Sequence, residues 1–336
     1  MAEDINVEVI VKLGGCAVTH KGNFETVKHE AIEAAAKVVK EIKGKCIVIH
    51  GAGSFGHFQA HEYGTANGFS EDHDKSCIGF AKTRQSVTKL QHMITEVFIA
   101  NGIPAVGISP CGSWLTGGGV VTRSAVQPLV ELIAEGFVPI LHGDCVLDSE
   151  QGCAILSGDK IIEKLVEELH PSRVVFLTDV DGIYDKPPSN EGATLLRRVS
   201  VKPNGKLTIA IETSALTHDV TGGVWEKLRT ASNIVLISEG QTRVFVGNIM
   251  SETVAYSVCV LGVLENERAL HQGKIYLRSS DCLPKLHWDQ HCPCGIMVSL
   301  QLRNSGNVQT GLDELRWIFR GFYPKSYVGR GGLGFD

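Results

Sequence analysis

The chain has 336 residues, 43% of them hydrophobic, which is enough for one large domain or two small ones with a substantial core. A net charge of -5 leaves no basic stripe to displace counterions, and this argues against nucleic acid as the main partner. The opening MAEDINVEVIV lacks a positive n-region and the late apolar run Val254 to Leu264 is too short to span a bilayer, so a cytoplasmic protein without a membrane partner is expected.

Short β-rich runs alternate with longer helical patterns. VEVIVKL (7–13) reads as the first strand, and after it Ala31, Ala35, Val38, Val39 and Ile42 recur at helical spacing. CIVIH (46–50) is the second strand. A helix over 80–100 and the strand PAVGIS (104–109) follow, then a helix over 124–135 and the strand FVPILH (137–142). A helix over 159–169, the strand RVVFLT (173–178), a helix over 224–237 and the strand RVFVG (243–247) complete the series. CVLDSEQGCAIL and VSVKPNGKLTI read as β-hairpins, the second turning at Pro203-Asn204-Gly205. This rhythm predicts an α/β fold with a mainly parallel central sheet and helices on both faces. The alternation fades after about residue 275, and the glycine-rich VGRGGLGFD ends an extension expected to be peripheral or partly disordered.

Ten cysteines raise the question of disulfides or metal. Cys46, Cys145, Cys153 and Cys259 sit inside apolar runs, as buried thiols do. In HWDQHCPCG, His287, His291, Cys292 and Cys294, with Cys282 upstream, are zinc-type donors at a spacing that matches no standard site.

The chemistry-bearing residues follow the strands. LGG comes after the first, HGAGSFGH after the second, HGD after FVPILH, and TDVDGIYD after RVVFLT. In an open parallel sheet these are the loops that hold ligands. Gly51, Gly53 and Gly56 fit the dinucleotide fingerprint G-x-G-x-x-G, but the acidic residue that should hold a ribose is missing from a following strand, and Glu71 and Asp72 read as solvated loop. Gly51 and Gly56 also frame a P-loop, but His57 and Phe58 stand where lysine and Ser or Thr are needed. Gly53-Ser54-Phe55 lacks the spacer of a hydrolase elbow. What survives is an amide-rich turn built to approach an anion closely, against the alternative of a tight turn with no ligand. Lys12 inside an apolar strand needs a partner at the strand end or must reach solvent. Taken alone, Lys21 is an ordinary surface lysine, Asp179 is as readily a turn cap as a functional carboxylate, and Lys227 after Gly222-Gly223 is a weak signal. Several lysines and amide-rich turns without an acid–base pair or nucleophile suit phosphoryl transfer, which needs alignment and charge neutralisation more than covalent help.

In this order and spacing VKLGGCAVTHK, HGAGSFGHFQA, LHGD, LSGD, FLTDVDGIYD and DVTGGVWEK resemble the amino acid kinase superfamily, and within it the isopentenyl phosphate kinase family, over residues 6 to 275. GAGSFGH with its terminal histidine is the most specific of these motifs. The resemblance implies a three-layer αβα sandwich. Its domain would span 1–275, with an acceptor-binding N-terminal half and an ATP-binding C-terminal half, and 276–336 would be an extension of unknown role. It implies transfer of a phosphoryl group from ATP with Mg2+ to isopentenyl phosphate, in a homodimer. Carried over by motif, Lys12, Leu13, Gly14, Gly15, Cys16, Lys21, Gly53, Asp179, Gly222 and Lys227 are expected at the nucleotide, and Ala52, His57 and Gly158 at the acceptor phosphate. His57, Lys12 and Lys227 are the expected catalytic groups, and no protein-held metal is expected. An apolar lining from Ile78, Phe80 and Val87 would favour a prenyl chain. The alternatives are a related small phosphate or phosphonate kinase of the same fold, or an inactive nucleotide-binding homologue. The sequence departs from the family pattern at Ala52 (usually glycine), Cys16 (often serine) and Val224 (often methionine), and carries an apolar insertion near 250–264.

Overall fold

The computed structural model of the chain describes residues 7–42, 45–186, 188, 190–196, 198–201, 223–251 and 274–277. All of them lie within one compact unit, Met1–Ser280. Strands β1 (Val9–Leu13) and β2 (Cys46–His50) match the two expected runs, and α1 (Gly15–Val18) and α2 (His29–Glu41) lie between them. The chain continues through α3 (His57–Tyr63), α4 (His73–Ala100), β3 (Ala105–Gly107), β4 (Leu115–Gly117), β5 (Val120–Arg123) and α5 (Gln127–Ala134). It then forms β6 (Val138–His142), β7 (Asp144–Asp148), β8 (Gly152–Leu156), α6 (Gly158–Leu169), β9 (Arg173–Thr178), β10 (Ile183–Tyr184), β11 (Leu195–Leu196) and β12 (Arg198–Ser200). Last come α7 (Gly223–Ile237), β13 (Arg243–Asn248) and β14 (Lys274–Leu277).

Among the described residues the main sheet runs β12-β14-β13-β9-β1-β2-β6-β3, parallel throughout except for β12 at its edge. Strands β2 and β9 are buried along their whole length, as apolar runs covered on both faces must be. Alternation along β1 separates two cores. Ile10 packs with α5, α6 and α7, while Val9, Val11 and Leu13 pack with α2 and α4. The architecture is therefore helix, sheet, helix. The expected hairpin CVLDSEQGCAIL forms as β7 and β8, within a second sheet of order β5-β4-β7-β8.

Several expectations need adjusting. Helix α4 begins seven residues before the expected start at 80, because the Asp72 carboxylate accepts the Lys75 N–H at 3.0 Å and caps it, so Asp72 is not a loop carboxylate without a partner. Strand β14 pairs parallel with β13, so the domain boundary expected at 275 falls inside a strand of the main sheet. Cys46, Cys145 and Cys153 are buried and unpaired, as their apolar contexts predict. Gly222, Val224's side chain, Cys259, the turn at 203–205, the insertion near 254–264 and the donors Cys282, His287, His291, Cys292 and Cys294 lie outside the described residues.

At the carboxyl ends of β2 and β6, His50 and His142 are register partners whose buried rings stack 5.4 Å apart. His50 Nε2 lies 2.7 Å from Gln91 Oε1, and Gln91 Nε2 donates to the Ile140 carbonyl at 2.6 Å. Burial, and then the neighbouring imidazole, pushes His50 down to about 3, and burial pushes His142 down to about 4. Both rings are therefore neutral at pH 7. An unfolded histidine titrates near about 6.5, so below that pH the unfolded chain takes up protons that the folded one refuses. Folding stability is expected to be intact above about pH 6.5 and to fall by roughly 1.4 kcal/mol per pH unit per imidazole as pH drops toward 4. Denaturant midpoints between pH 7 and 4.5 check this, and His142→Asn should flatten the slope.

Candidate active site

The strand that carries Lys12 determines where its ammonium goes. Lys12 shares the Ile10 side of β1, so its stem runs toward α6 and α7 and its head emerges at the carboxyl edge of the sheet. There it forms an ion pair with Asp159, in the first turn of α6, and lies 5.5 Å from the centre of the Phe176 ring. Lys227, at the start of α7, brings Nζ to 3.9 Å from Asp179 Oδ1, just past the end of β9. Burial lowers the Lys227 pKa, Asp179 raises it in part, and the charge on Lys12 lowers it again. Two ammoniums are thus held near each other with carboxylates beside them, an arrangement that a polyanion would relieve.

They face a cleft of about 570 Å³. Its floor is made of two glycine turns in direct backbone contact. A Cβ on Gly15 would sit 2.6 Å from the Gly53 nitrogen, and Gly53 has φ +52° with no room beside Thr19. Ser54 N–H donates to Thr19 Oγ1 at 3.0 Å and Thr19 Oγ1–H to the Gly15 carbonyl at 2.8 Å, fastening the turns together. Helices α1, α3, α6 and α7 all start at this edge, so the positive ends of their dipoles converge on it.

His57 opens α3 on the wall of the cleft, which Lys21 also lines. Partial loss of hydration and the Lys21 charge hold the His57 pKa below its ordinary value, so the ring is neutral at pH 7. Ala52, Gly53 and Gly56 lie beside it, with Gly158 across the cleft near the Lys12 stem. Beyond His57 the wall turns apolar, with Ala60, Val87 and Ile155 next to Thr83, Asp144 and Cys145.

Lys12, Gly14, Gly15, Cys16, Lys21, Ala52, Gly53, His57, Gly158, Asp179 and Lys227 thus share one cleft. Leu13 does not line it. Its side chain is buried against α2 and α4, and its carbonyl accepts the Gly51 N–H at 2.9 Å. Val87 lines the cleft, whereas Ile78 is exposed and Phe80 is half-buried without lining it. Residues the motifs did not single out are also present. Asp159 follows Gly158 in LSGD and fixes Lys12, and Lys28 Nζ donates to the Cys16 carbonyl at 2.8 Å. Asp144, in HGD, is buried and takes hydrogen bonds from Ser109 Oγ at 2.6 Å and Arg84 Nε at 3.3 Å. Burial raises its pKa, and Ser109 and Arg84 counter that rise. Among the described residues no cluster of three or more His, Cys, Asp or Glu side chains could hold a metal, and no helix is long and apolar enough to cross a membrane.

The sequence model of the amino acid kinase family matches residues 8–248. An isopentenyl phosphate kinase from Arabidopsis thaliana is 37% identical over 283 residues, covering 68% of this chain and 84% of that protein. One from Thermoplasma acidophilum is 34% identical over 223 residues, covering 66% and 84%. The solved structure of an isopentenyl phosphate kinase substrate complex superposes with a TM-score of 0.62 at 27% identity, over 81% of this chain and all of that one. Convergent lysines, interlocked glycine turns and these matches agree: the chain belongs to the amino acid kinase family and groups there with the isopentenyl phosphate kinases.

Proposed function

We propose that the chain is a kinase that moves the γ-phosphoryl group of ATP onto isopentenyl phosphate, giving isopentenyl diphosphate and ADP. The observation that carries this reading is a neutral imidazole and an ammonium, His57 and Lys21, on the same cleft as Lys12 and Lys227, with an apolar wall beyond them. An oxygen of the acceptor phosphate attacks the γ-phosphorus as the bond to the β,γ-bridging oxygen breaks, and no covalent intermediate on the protein is needed.

In this reading His57, with the amides of Ala52 and Gly158, holds the acceptor phosphate. Gly14, Gly15, Cys16, Lys21 and Gly53 cradle the ATP phosphates, Asp179 lies at the nucleotide, and Lys12 and Lys227 spread the charge of the transferring group. Asp159 orients Lys12 rather than touching substrate. A carboxylate acceptor would not require the imidazole, and the apolar residues Ala60, Val87 and Ile155 suit a short hydrocarbon tail. The donor set fits magnesium carried by the nucleotide. Magnesium usually keeps several waters and takes one or two carboxylates plus substrate phosphates, and Asp159 and Asp179, the cleft carboxylates beside Lys12 and Lys227, would hold its water shell. When bound, the ion neutralises phosphate charge.

The buried, unpaired thiols suit a reducing compartment, and we place the reaction in the cytoplasm, with the chain in a homodimer. The kinase domain expected over 1–275 is proposed to run on through the end of β14, with the residues beyond it as an extension. ADP release measured with isopentenyl phosphate, a phosphonate, a carboxylate and a nucleoside monophosphate tests the acceptor. Isopentenyl phosphate is expected to give the highest kcat/KM, and silence with it alone would sink the proposal.

A further inference from the structure

We infer that Glu25 is a positioning residue for phosphoryl transfer, latching the loop that carries Lys21 onto helix α4 so that the Lys21 ammonium stays beside His57. The inference rests on the reading of Lys21 and His57 as phosphate-holding groups. The loop is closed at its base, where Thr19 bridges Val27 and the His20 N–H donates to the Thr26 carbonyl at 2.9 Å. A turn follows Lys21, with the Asn23 N–H donating to the His20 carbonyl at 3.0 Å. The position of Glu25 therefore determines that of Lys21, only a few residues away.

Glu25 is anchored from several directions. Ser86 Oγ donates to Oε1 at 2.8 Å and Lys89 Nζ lies 2.5 Å from Oε2, both from α4. Burial acts to raise the Glu25 carboxyl, but Lys89 and Ser86 bring it below its ordinary value. Its backbone N–H donates to the Ser54 carbonyl at 3.3 Å, in the turn that leads to His57. Beside it, Phe24 meets Phe58 edge-on at 5.7 Å, tying the same loop to α3 one residue past His57.

The backbone of Glu25 carries the mark of this arrangement. Its φ of +46° is left-handed, which costs a side-chain-bearing residue strain that persists only where surrounding contacts over-determine it. An exposed ion pair by itself stabilises little, and Lys89 is largely exposed, so global stability is a weak reason for a carboxylate to be held this way. Positioning is a better one. Ser86 and Lys89 flank Val87, and Val87 lines the cleft, so the latch sets Lys21 against the same helix that contacts the acceptor.

The test uses the full chain and four variants: Glu25→Gln, Lys21→Ala, the two combined, and Ser86→Ala with Lys89→Ala, which opens the latch from the α4 side. Glu25→Gln and the α4 variant are each expected to lower kcat/KM for isopentenyl phosphate by about 10- to 100-fold. The combined Glu25→Gln/Lys21→Ala variant should be no worse than Lys21→Ala alone, because residues acting through one another do not add. The ring titration of His57 by NMR should move upward in both Lys21→Ala and Glu25→Gln. Losses that multiply, or a His57 titration unmoved by Glu25→Gln, overturn the latch. Failure of the functional reading looks different. The unaltered chain would release no ADP with isopentenyl phosphate, while the His57 shift in Glu25→Gln would still appear and support the latch.

Discussion

Replacing Lys12 with methionine is expected to lower kcat by about 10²–10³-fold, equivalent to roughly 3–4 kcal/mol of lost transition-state stabilisation. Methionine keeps the length and apolar character of the stem, so the packing of β1 between its two cores should survive and the loss will report on charge. The ammonium is held in advance, by the ion pair to Asp159 and by its place beside Phe176, and its side chain is only 12% exposed. A charge fixed in a poorly hydrated cleft needs no reorganisation as negative charge moves between bridging oxygens, and for that reason its removal acts on turnover more than on binding. Asp159→Asn should give a smaller loss of the same kind, since it frees the ammonium without deleting it. Steady-state rates at saturating ATP and isopentenyl phosphate measure both. A Lys12→Met protein with normal kcat would show that the ammonium does not reach the transferring group.

Replacing His57 with alanine should cost about 100-fold in turnover at saturating acceptor and raise the acceptor KM as well. The two effects belong together because the imidazole N–H would hold the acceptor phosphate in the ground state and align its attacking oxygen. His57→Gln keeps a donor at similar reach and should recover part of both. The pH dependence follows from the direction of the shift. Burial and the Lys21 charge lower the His57 pKa, so the ring is neutral from neutral pH upward and protonates only at pH below about 6.5. Between pH 7 and 8, kcat/KM should therefore show no step that disappears in His57→Ala. Such a step, or unchanged turnover in the alanine variant, would remove His57 from the mechanism.

Much of the site was legible because its pieces are local. Gly14-Gly15 directly after β1, the three-glycine turn after β2 and Ser157-Gly158 before α6 are strand-to-helix turns, and each has a sequence signature independent of the rest of the chain. The β4–β5 hairpin is equally local and still carries little sequence signal. Its Gly118 and Gly119 both have positive φ, as a tight hairpin turn requires, but the strands on either side are only three and four residues long. The wall of the acceptor pocket was less legible. Near 100° per residue, Ile78 lies nine residues and half a rotation from Val87, so one apolar helix offers one residue to the cleft and the other to solvent.

The sequence by itself determined the alternation of strands and helices, the edge of the sheet where ligands belong, and the residue types that meet phosphate there. These follow from periodicity and backbone freedom, which act over a few residues. Only the tertiary structure decided which of those residues meet. Lys12 finds Asp159 at a separation of 147 residues, Glu25 finds Ser86 at 61, and Lys227 comes to Asp179. The reason is physical: a charge partner is fixed by where parallel strands and their covering helices bring chain ends together, and side-chain chemistry alone cannot choose among the many carboxylates the chain offers.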